Sequence, residues 1–195
     1  MPFIEGHPYH VYNQGNNRNL LFHSREDYMV FVRLLRREVS TVCNLLAWCL
    51  MPNHFHLMIR TDDRCSVLSN HGSIRIDPVS SGIRKMLSST TRILNARHGT
   101  SGSMFRQGTK KKCLDGESYH GCPKKSIWNA YRDCFIYIHR NPLKAGLVKD
   151  LRDWEFSSYM YLSGLRNGSL VDRYRVSHLL SIEMEDTLRV CNDYH

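Results

Sequence analysis

The chain has 195 residues, 42% of them hydrophobic and 23% charged, which suits one globular domain with at most a small appendage. Lys and Arg number 27 and Asp and Glu 18, which gives a net charge of +9. This charge is equally consistent with a protein that binds a nucleic acid or an anionic membrane surface and with a merely soluble basic protein. Seven cysteines without a C-x-x-C pair fit reduced intracellular thiols better than a disulfide framework or a zinc ribbon. The N-terminus lacks a basic-then-apolar signal and no apolar run could span a bilayer, so we expect a cytoplasmic protein without a membrane partner.

The first elements are a strand and a helix. Residues 8–13, PYHVYN, predict a short strand, and the polar loop QGNNRNLLF follows. Ser24 then begins a helix, with Asp27 placed to complete a capping box. Apolar residues at helical spacing predict its buried face: Tyr28, Phe31, Leu34, Leu35, Val39 and Val42.

A hairpin, an irregular segment and a second helix come next. Two apolar runs flank the turn signal Pro52-Asn53, which predicts strands at 44–49 and 54–60. Residues 61–78 are polar and indicate an insertion or a mobile loop. A second amphipathic helix follows, and HGTSGS ends it; its buried face is predicted to hold Ile83, Met86, Leu87, Ile93 and Leu94.

The second half adds a basic strand or loop, MFRQGTKKKCLDGES, and a third helix, IWNAYRDCFIYIHR, capped by Ser126. That helix should end near Asn141, because the residue before a proline disfavours helical angles. The first six elements therefore predict an α+β fold: a ferredoxin-like split β-α-β sheet with helices on one face, plus an added C-terminal helix. We expect one domain over residues 1–150 and an extension over 151–195 packed on it.

Two histidines in CLMPNHFHLMIR, residues 49–60, are unusual in an apolar run. Side chains alternate on a strand, so His54 and His56 share one face. Two neutral imidazoles a strand repeat apart make a good pair of metal ligands. The alternative is that both cap loops or bond to polar groups of the core.

The third helix offers partners for that pair in YIHRNP. Tyr137 and Asn141 are four residues apart and so lie on one side of the helix. Asn141 can offer a carbonyl oxygen to a hard cation, and Tyr137 a phenol that becomes a nucleophile when it is deprotonated or held at a polarised target. A core aromatic is the alternative for Tyr137, and position alone does not choose it over Tyr131.

Basic residues concentrate near this helix. Residues 106–152 contain 11 basic and four acidic residues. This quarter of the chain therefore carries +7 of the net charge of +9. Such charge can neutralise DNA phosphates, although a solvated basic face is the usual alternative. Asn and Arg in the N-terminal loop could read base edges, while a plain turn explains the asparagines equally well. The predicted DNA contacts are Asn17, Arg18, Arg106, Lys110, Lys111, Lys112, Arg140 and Lys144.

These segments carry a family resemblance. CLMPNHFHLMI resembles the HUH motif of the single-tyrosine transposases, and YIHRNPLKAGLV, residues 137–148, resembles their tyrosine helix, above all that of the REP-associated branch. HVYNQGNNR, NARHGTSGSMFRQG and DWEFSSY are similar to further family segments in the family's order, so the resemblance spans nearly the whole chain. FRQGTKKK departs from the usual Phe-Gln-Gly-Arg-like run, which leaves the DNA contacts there open, and residues 61–78 are longer than the family pattern.

The resemblance implies a ferredoxin-like fold and a Mg or Mn ion held by His54, His56 and, at the polar position of the tyrosine helix, Asn141. It also implies that Tyr137, rather than Tyr131, attacks single-stranded DNA, and that the N-terminal loop helps to recognise a short guide sequence beside a hairpin.

We therefore expect a metal-dependent transposase that cleaves and rejoins single-stranded DNA near hairpins through a 5′-phosphotyrosine, without an organic cofactor. One alternative is a DNA or RNA hairpin-binding protein that does not cut, and another is a metal-dependent nuclease that uses water. The protein could be a monomer or a homodimer; insertion-sequence relatives exchange the tyrosine helix in dimers, and the tail beyond residue 150 favours a monomer.

Overall fold

The computed structural model describes residues 2–65, 69–71, 74–115, 127–180 and 191, and their side chains except at 69–71, 74, 75 and 127–129. Its strands and helices follow each other in chain order as β1 (Pro8–Gln14), α1 (Arg25–Leu34), β2 (Asn44–Met51), β3 (His54–Arg60), β4 (Ser69–His71), β5 (Ile74–Ile76), α2 (Pro78–His98), β6 (Lys110–Cys113), α3 (Ile127–Lys144), α4 (Tyr159–Leu162) and α5 (Arg173–Leu180). A π-helical segment, Leu35–Val39, continues α1.

Four strands form an antiparallel sheet in the order β2-β3-β1-β6. In its centre β1 pairs with β3 so that Tyr12 lies opposite His56, and β1 pairs with β6 so that His10 lies opposite Lys112. The helix α1 connects β1 to β2, and α2 lies between β3 and β6 in the chain; in both cases the two strands are not neighbours in the sheet. This is the ferredoxin-like arrangement, and the predicted α+β fold is confirmed.

The sheet has a helix layer on each face. Phe55 projects from β3 toward α1, where its ring lies 5.0 Å from the ring of Phe31. His56 projects the other way, and its ring lies 5.4 Å from the ring of Tyr137 on α3. β2 and β3 are covered on both faces, which explains why they read as nearly continuous apolar runs.

The start of α1 follows the predicted capping pattern. Asp27 Oδ2 accepts hydrogen bonds from the backbone N–H groups of His23, at 2.9 Å, and Ser24, at 3.3 Å. These bonds satisfy donors that a helix start leaves without an intrahelical partner. The predicted apolar stripe is buried, with Val42 half-buried.

The interpretation of residues 61–78 as irregular was wrong in part. A short 3-10 turn, Asp63–Cys65, is followed by β4 and β5, which pair antiparallel with Ser69 opposite Ile76. Backbone pairing needs no apolar alternation, so the polar composition of the segment concealed this hairpin.

The predicted end of α3 was also wrong, because the helix runs through Pro142 to Lys144. A proline lacks the N–H that would bond to the carbonyl four residues earlier, here that of Ile138. The side-chain amide of Asn141 supplies donors in its place, bonding the carbonyl oxygens of Tyr137 at 2.8 Å and Ile138 at 3.4 Å. The proposed cap at Ser126 lies outside the described residues.

The segment after residue 150 covers the outer edge of the sheet. The Leu50 N–H donates to the Phe156 carbonyl at 2.9 Å, and the Ser158 N–H donates to the Trp48 carbonyl at 2.9 Å. An exposed strand edge is a template for unwanted pairing, and these bonds close the edge of β2. No helix among the described residues is long and apolar enough to cross a membrane.

Candidate metal and tyrosine site

His54 is the first residue of β3, directly after the Pro52-Asn53 turn. Its Nδ1 lies 2.6 Å from Oδ1 of Asn53. An amide oxygen can only accept a hydrogen bond, so His54 donates from Nδ1 and carries its lone pair on Nε2. Burial lowers the pKa of His54, which keeps this ring neutral at physiological pH. The lone pair on Nε2 of His54 is therefore available to bind a cation.

His56 lies two residues further along on the same face. Its Nδ1 is 2.9 Å from Nε2 of His10, and the two rings stack with centroids 5.1 Å apart. Burial lowers the pKa of His56 to about 2, with smaller contributions from His10 and His54. Burial, with the nearby charge of Lys112, lowers the pKa of His10 to about 4. Both imidazoles are neutral at physiological pH.

The buried Nε2 of His56 has no hydrogen-bond partner within the described part of the chain. A buried polar atom without a partner is costly, and native proteins rarely leave one without a reason. The same atom is a neutral nitrogen that could bind a metal, and it lies on the face that also carries His54. The residues present thus fit a divalent cation at this position.

Tyr137 faces this histidine pair from α3. Its ring centroid lies 5.4 Å from that of His56 and 5.9 Å from that of His10, and Nζ of Lys144 lies 5.3 Å from the ring centroid. Tyr137 is 40% exposed, so a substrate can reach its side chain. Burial raises the pKa of Tyr137, and the Asn141 side chain partly opposes the rise.

Asn141 lies one helical turn beyond Tyr137 and is buried. Its amide nitrogen is bonded to the backbone of α3, as described above, so the amide oxygen is the atom of this side chain that could bind a cation. Two neutral imidazoles and one amide oxygen are a suitable ligand set for Mg²⁺ or Mn²⁺.

The predicted DNA contacts do not form one surface. Lys110 and Lys112 lie opposite Tyr12 and His10, so they share the face of the histidine pair. Lys111 lies opposite Val11 and projects to the other face, where its Nζ is 3.8 Å from the centroid of the Phe3 ring.

Lys111 and Arg106 line a cleft of about 810 Å³ between α2 and the β1–β6 side of the sheet. Arg84 and Arg92 of α2 line the same cleft. This cleft lies on the face opposite His54 and His56. Arg140 is elsewhere, donating to the carbonyl of Cys191 at 3.1 Å.

The N-terminal loop holds the remaining predicted contacts. Asn17 and Arg18 both have positive φ, at 52° and 62°, a conformation that costs energy for residues other than glycine. The Gly15 N–H donates to the Asn53 carbonyl at 2.8 Å, and Asn53 Nδ2 donates to the Arg18 carbonyl at 3.2 Å. Asn53 therefore bonds the loop on one side and His54 on the other.

Sequence analysis missed two residues of this site, His10 and Asn53. The alternation in PYHVYN places His10 and Tyr12 on one face, but the sequence does not reveal that β3 pairs beside them. Asn53 was interpreted only as a turn residue, because nothing in the sequence indicates the hydrogen bond to His54.

Comparison with solved structures supports the fold of this chain. No family model matches its sequence, and no curated protein does. It is similar to a REP-associated tyrosine transposase bound to a REP hairpin, with a TM-score of 0.56, 19% identity and coverage of 88% of this chain and 92% of that one. At that identity the likeness shows the fold.

Weaker likenesses are to a bacterial tRNA(His) guanylyltransferase (Thg1)-like protein. In complex with GTP its TM-score is 0.40 at 6% identity, over 75% of this chain and 71% of that one. In complex with ATP the TM-score is 0.39 at 8% identity, over 82% and 73%. These values are too low to carry an argument about function.

Proposed function

We propose that the protein is a metal-dependent transposase of the REP-associated tyrosine type, which cleaves and rejoins single-stranded DNA near hairpins. The observation that carries the proposal is the position of Tyr137, whose ring lies 5.4 Å from that of His56 in the same chain. A solvent-accessible phenol lies close to the histidine ring that carries a buried nitrogen without a partner among the described residues. The fold, shared with a hairpin-bound transposase, supports the same conclusion.

His54, His56 and Asn141 would hold the Mg²⁺ or Mn²⁺ ion. When bound, such an ion acts as a Lewis acid that polarises the scissile phosphate. The histidines remain neutral at physiological pH, as a nitrogen ligand must. Asn53 and His10 fix the two rings by hydrogen bonds to their Nδ1 atoms.

Tyr137 supplies the nucleophile. Its phenolic oxygen bonds to phosphorus while the bond from phosphorus to the 3′-oxygen breaks, and the proton lost by the phenol is balanced by the proton that the 3′-oxygen gains. The products are a 3′-hydroxyl and a 5′-phosphotyrosine. A later 3′-hydroxyl attacks the phosphotyrosine and frees Tyr137, so the strand is rejoined without another energy source.

Basic residues on the Tyr137 face would hold the reacting strand. Lys144 lies beside the Tyr137 ring, and Lys110 and Lys112 project from β6 on the same face. The cleft that contains Arg106 and Lys111 is a second phosphate-binding surface, suited to DNA that continues around the edge of the sheet. Binding by either surface should weaken as salt concentration rises.

We also infer that the protein acts as a monomer made of a domain over residues 1–150 and an extension over 151–195. Tyr137 and the histidine pair meet within one chain, so the proposed site needs no residue from a partner. The bonds from Phe156 and Ser158 to β2 support packing of the extension on the domain.

The test is covalent capture of a labelled single-stranded hairpin in the presence of Mn²⁺. The wild-type protein should form an adduct stable to denaturation, with peptide mapping placing the nucleotide on Tyr137. Tyr137→Phe should abolish the adduct. Tyr12→Phe is the matched control, because Tyr12 is exposed and its ring lies 5.9 Å from that of His56; this variant should retain the adduct.

Other outcomes would select the alternatives. Hairpin binding that is unchanged by Tyr137→Phe, with no adduct at any metal concentration, would identify a binding protein. Free 5′-phosphate ends without an adduct would identify a hydrolytic nuclease.

A further inference from the structure

We propose a second divalent-metal site, suited to a zinc-class ion, formed by His7, Cys113 and Asp115. The ligand atoms of these three side chains all lie within 4.8 Å of one another. Nδ1 of His7 is 2.8 Å from Oδ2 of Asp115. The inference is independent of the proposed transposase activity.

The spacing of the three atoms suits a tetrahedral ion. Metal–ligand distances of about 2.0 to 2.3 Å place neighbouring ligand atoms about 3.3 to 3.7 Å apart in a tetrahedron. The imidazole and the carboxylate would move apart by less than about 1 Å, and the thiol would move inward by up to about 1.3 Å. Such shifts need only small side-chain rotations.

Hydrogen bonds of the backbone hold His7 and the end of β6 in place. Cys113 lies opposite Tyr9 in the β1–β6 ladder, and the Leu114 N–H donates to the Pro8 carbonyl at 3.0 Å. His7 donates its N–H to Oγ1 of Thr61 at 3.1 Å. A rigid backbone reduces the entropy lost when ligands are ordered around an ion.

This site is separate from the histidine pair of β3. His7 precedes Tyr12 by five residues, and Tyr12 is the residue opposite His56, so the two sites are roughly 16 Å apart along the strand. Cys113 also projects on the Val11 side of the sheet, whereas His56 projects on the opposite side.

The two sites differ in ligand chemistry. A thiolate, an imidazole and a carboxylate favour Zn²⁺ over Mg²⁺, which prefers oxygen ligands. The side chains of His7 and Asp115 are 40% and 21% exposed, so water can complete the coordination. Cys113 is half-buried, whereas the other described cysteines are buried: Cys43, Cys49, Cys65, Cys134 and Cys191.

Binding would tie the start of β1 to the end of β6, the outer strand. As the sulfur–metal bond forms, the Cys113 thiol releases its proton to solvent. His7 binds through Nδ1 and keeps its proton on Nε2, and Asp115 binds as the carboxylate.

The test is a Co²⁺ titration of the full-length protein carrying His54→Ala and His56→Ala, which removes the other proposed site. A thiolate-to-cobalt charge-transfer band should grow to saturation at a single equivalent and disappear when Zn²⁺ is added. A further Cys113→Ser substitution should abolish the band. Asp115→Asn or His7→Ala should weaken Co²⁺ binding by at least about tenfold.

Thermal unfolding provides a second measurement that does not depend on the absorption of cobalt. Zn²⁺ should raise the unfolding temperature of the double-alanine protein but not that of its Cys113→Ser derivative. Circular dichroism checks that the derivative is folded. Absence of the band, or its survival after Cys113→Ser, would overturn the proposal.

Discussion

Nε2 of His10 lies 2.9 Å from Nδ1 of His56, and the two rings stack across the centre of the sheet. The bond links a residue of β1 to one of β3 and leaves Nε2 of His56 as the buried nitrogen without a partner. His10 is thereby a positioning residue: it would fix the ring of a metal ligand without touching the ion.

Replacing His10 should weaken metal binding while the fold survives. His10→Ala removes the hydrogen bond and the stacking, so the Mn²⁺ dissociation constant should rise about 10- to 100-fold, as measured by calorimetry. His10→Gln can still bond to Nδ1 of His56 and should recover part of the affinity. His178→Ala, at an exposed position of α5, is the control. Wild-type affinity in His10→Ala would refute a positioning role.

Asn53 joins the N-terminal loop to the proposed metal site. Its nitrogen donates to the Arg18 carbonyl and its oxygen accepts from His54 Nδ1. Asn53→Asp keeps the acceptor and loses the donor, so it should retain Mn²⁺ affinity but bind hairpin DNA more weakly. Asn53→Ala loses both bonds and should weaken both.

Calorimetry for the ion and fluorescence anisotropy for the hairpin measure the two effects separately. Asn167→Ala, at an exposed position after α4, should change neither. Unaltered hairpin binding in Asn53→Asp would show that the loop conformation does not depend on this bond.

Local patterns in the sequence predict most of the fold. Two apolar runs around a clear turn signal predict β2 and β3, and the capping pair predicts the start of α1. The end of α3 could not be predicted, since an Asn141 side chain bonded back to the helix offsets the missing donor of Pro142. The polar residues of β4 and β5 concealed a hairpin formed by the backbone alone.

The sequence also predicts part of the candidate site and not the rest. The spacing of His54 and His56 places both on one face, as the alternation rule requires. The partners that hold them, His10 and Asn53, depend on strand register and on a side-chain bond, which single-sequence patterns do not encode. The basic run of β6 does not form one surface, because alternation sends Lys111 to the face opposite Lys110 and Lys112.

Gly82 marks the closest approach between α2 and the π-helical segment after α1. A Cβ atom at this position would lie 2.2 Å from the carbonyl oxygen of Glu38. Gly82→Ala should therefore lower the free energy of unfolding by about 1 to 3 kcal/mol, although alanine is ordinarily the better helix former. Urea unfolding measures the change.

Ser88→Ala is the matched control, since Ser88 is exposed on the same helix and alanine there should be neutral or slightly stabilising. A Gly82→Ala protein as stable as the wild type would mean that the two segments separate at little cost.

The buried carboxylate of Asp27 joins the start of α1 to the end of α2. Oδ1 accepts from Arg97 Nη1 at 2.8 Å, and Oδ2 accepts from His98 Nε2 at 2.9 Å, in addition to its backbone donors. Burial favours the neutral acid, but the hydrogen bonds from the His23 backbone, Arg97 and His98 outweigh it and hold the pKa of Asp27 below its ordinary value. The charged form is thus the one that stabilises the fold.

Asp27→Asn should lower the free energy of unfolding by about 3 kcal/mol at neutral pH, because it leaves the Arg97 guanidinium without its anion. A depressed carboxyl pKa contributes stability above the unfolded-state value of about 3.9 and loses it as pH falls through the folded-state value. The difference between wild type and Asp27→Asn should therefore be constant from neutral pH to about pH 5 and shrink below about pH 4. Urea unfolding over this range measures it, with Glu26→Gln, at an exposed neighbouring position, as a control expected to stay within about 0.5 kcal/mol of wild type. A difference that does not shrink in acid would assign the stability to packing around residue 27 instead of to its charge.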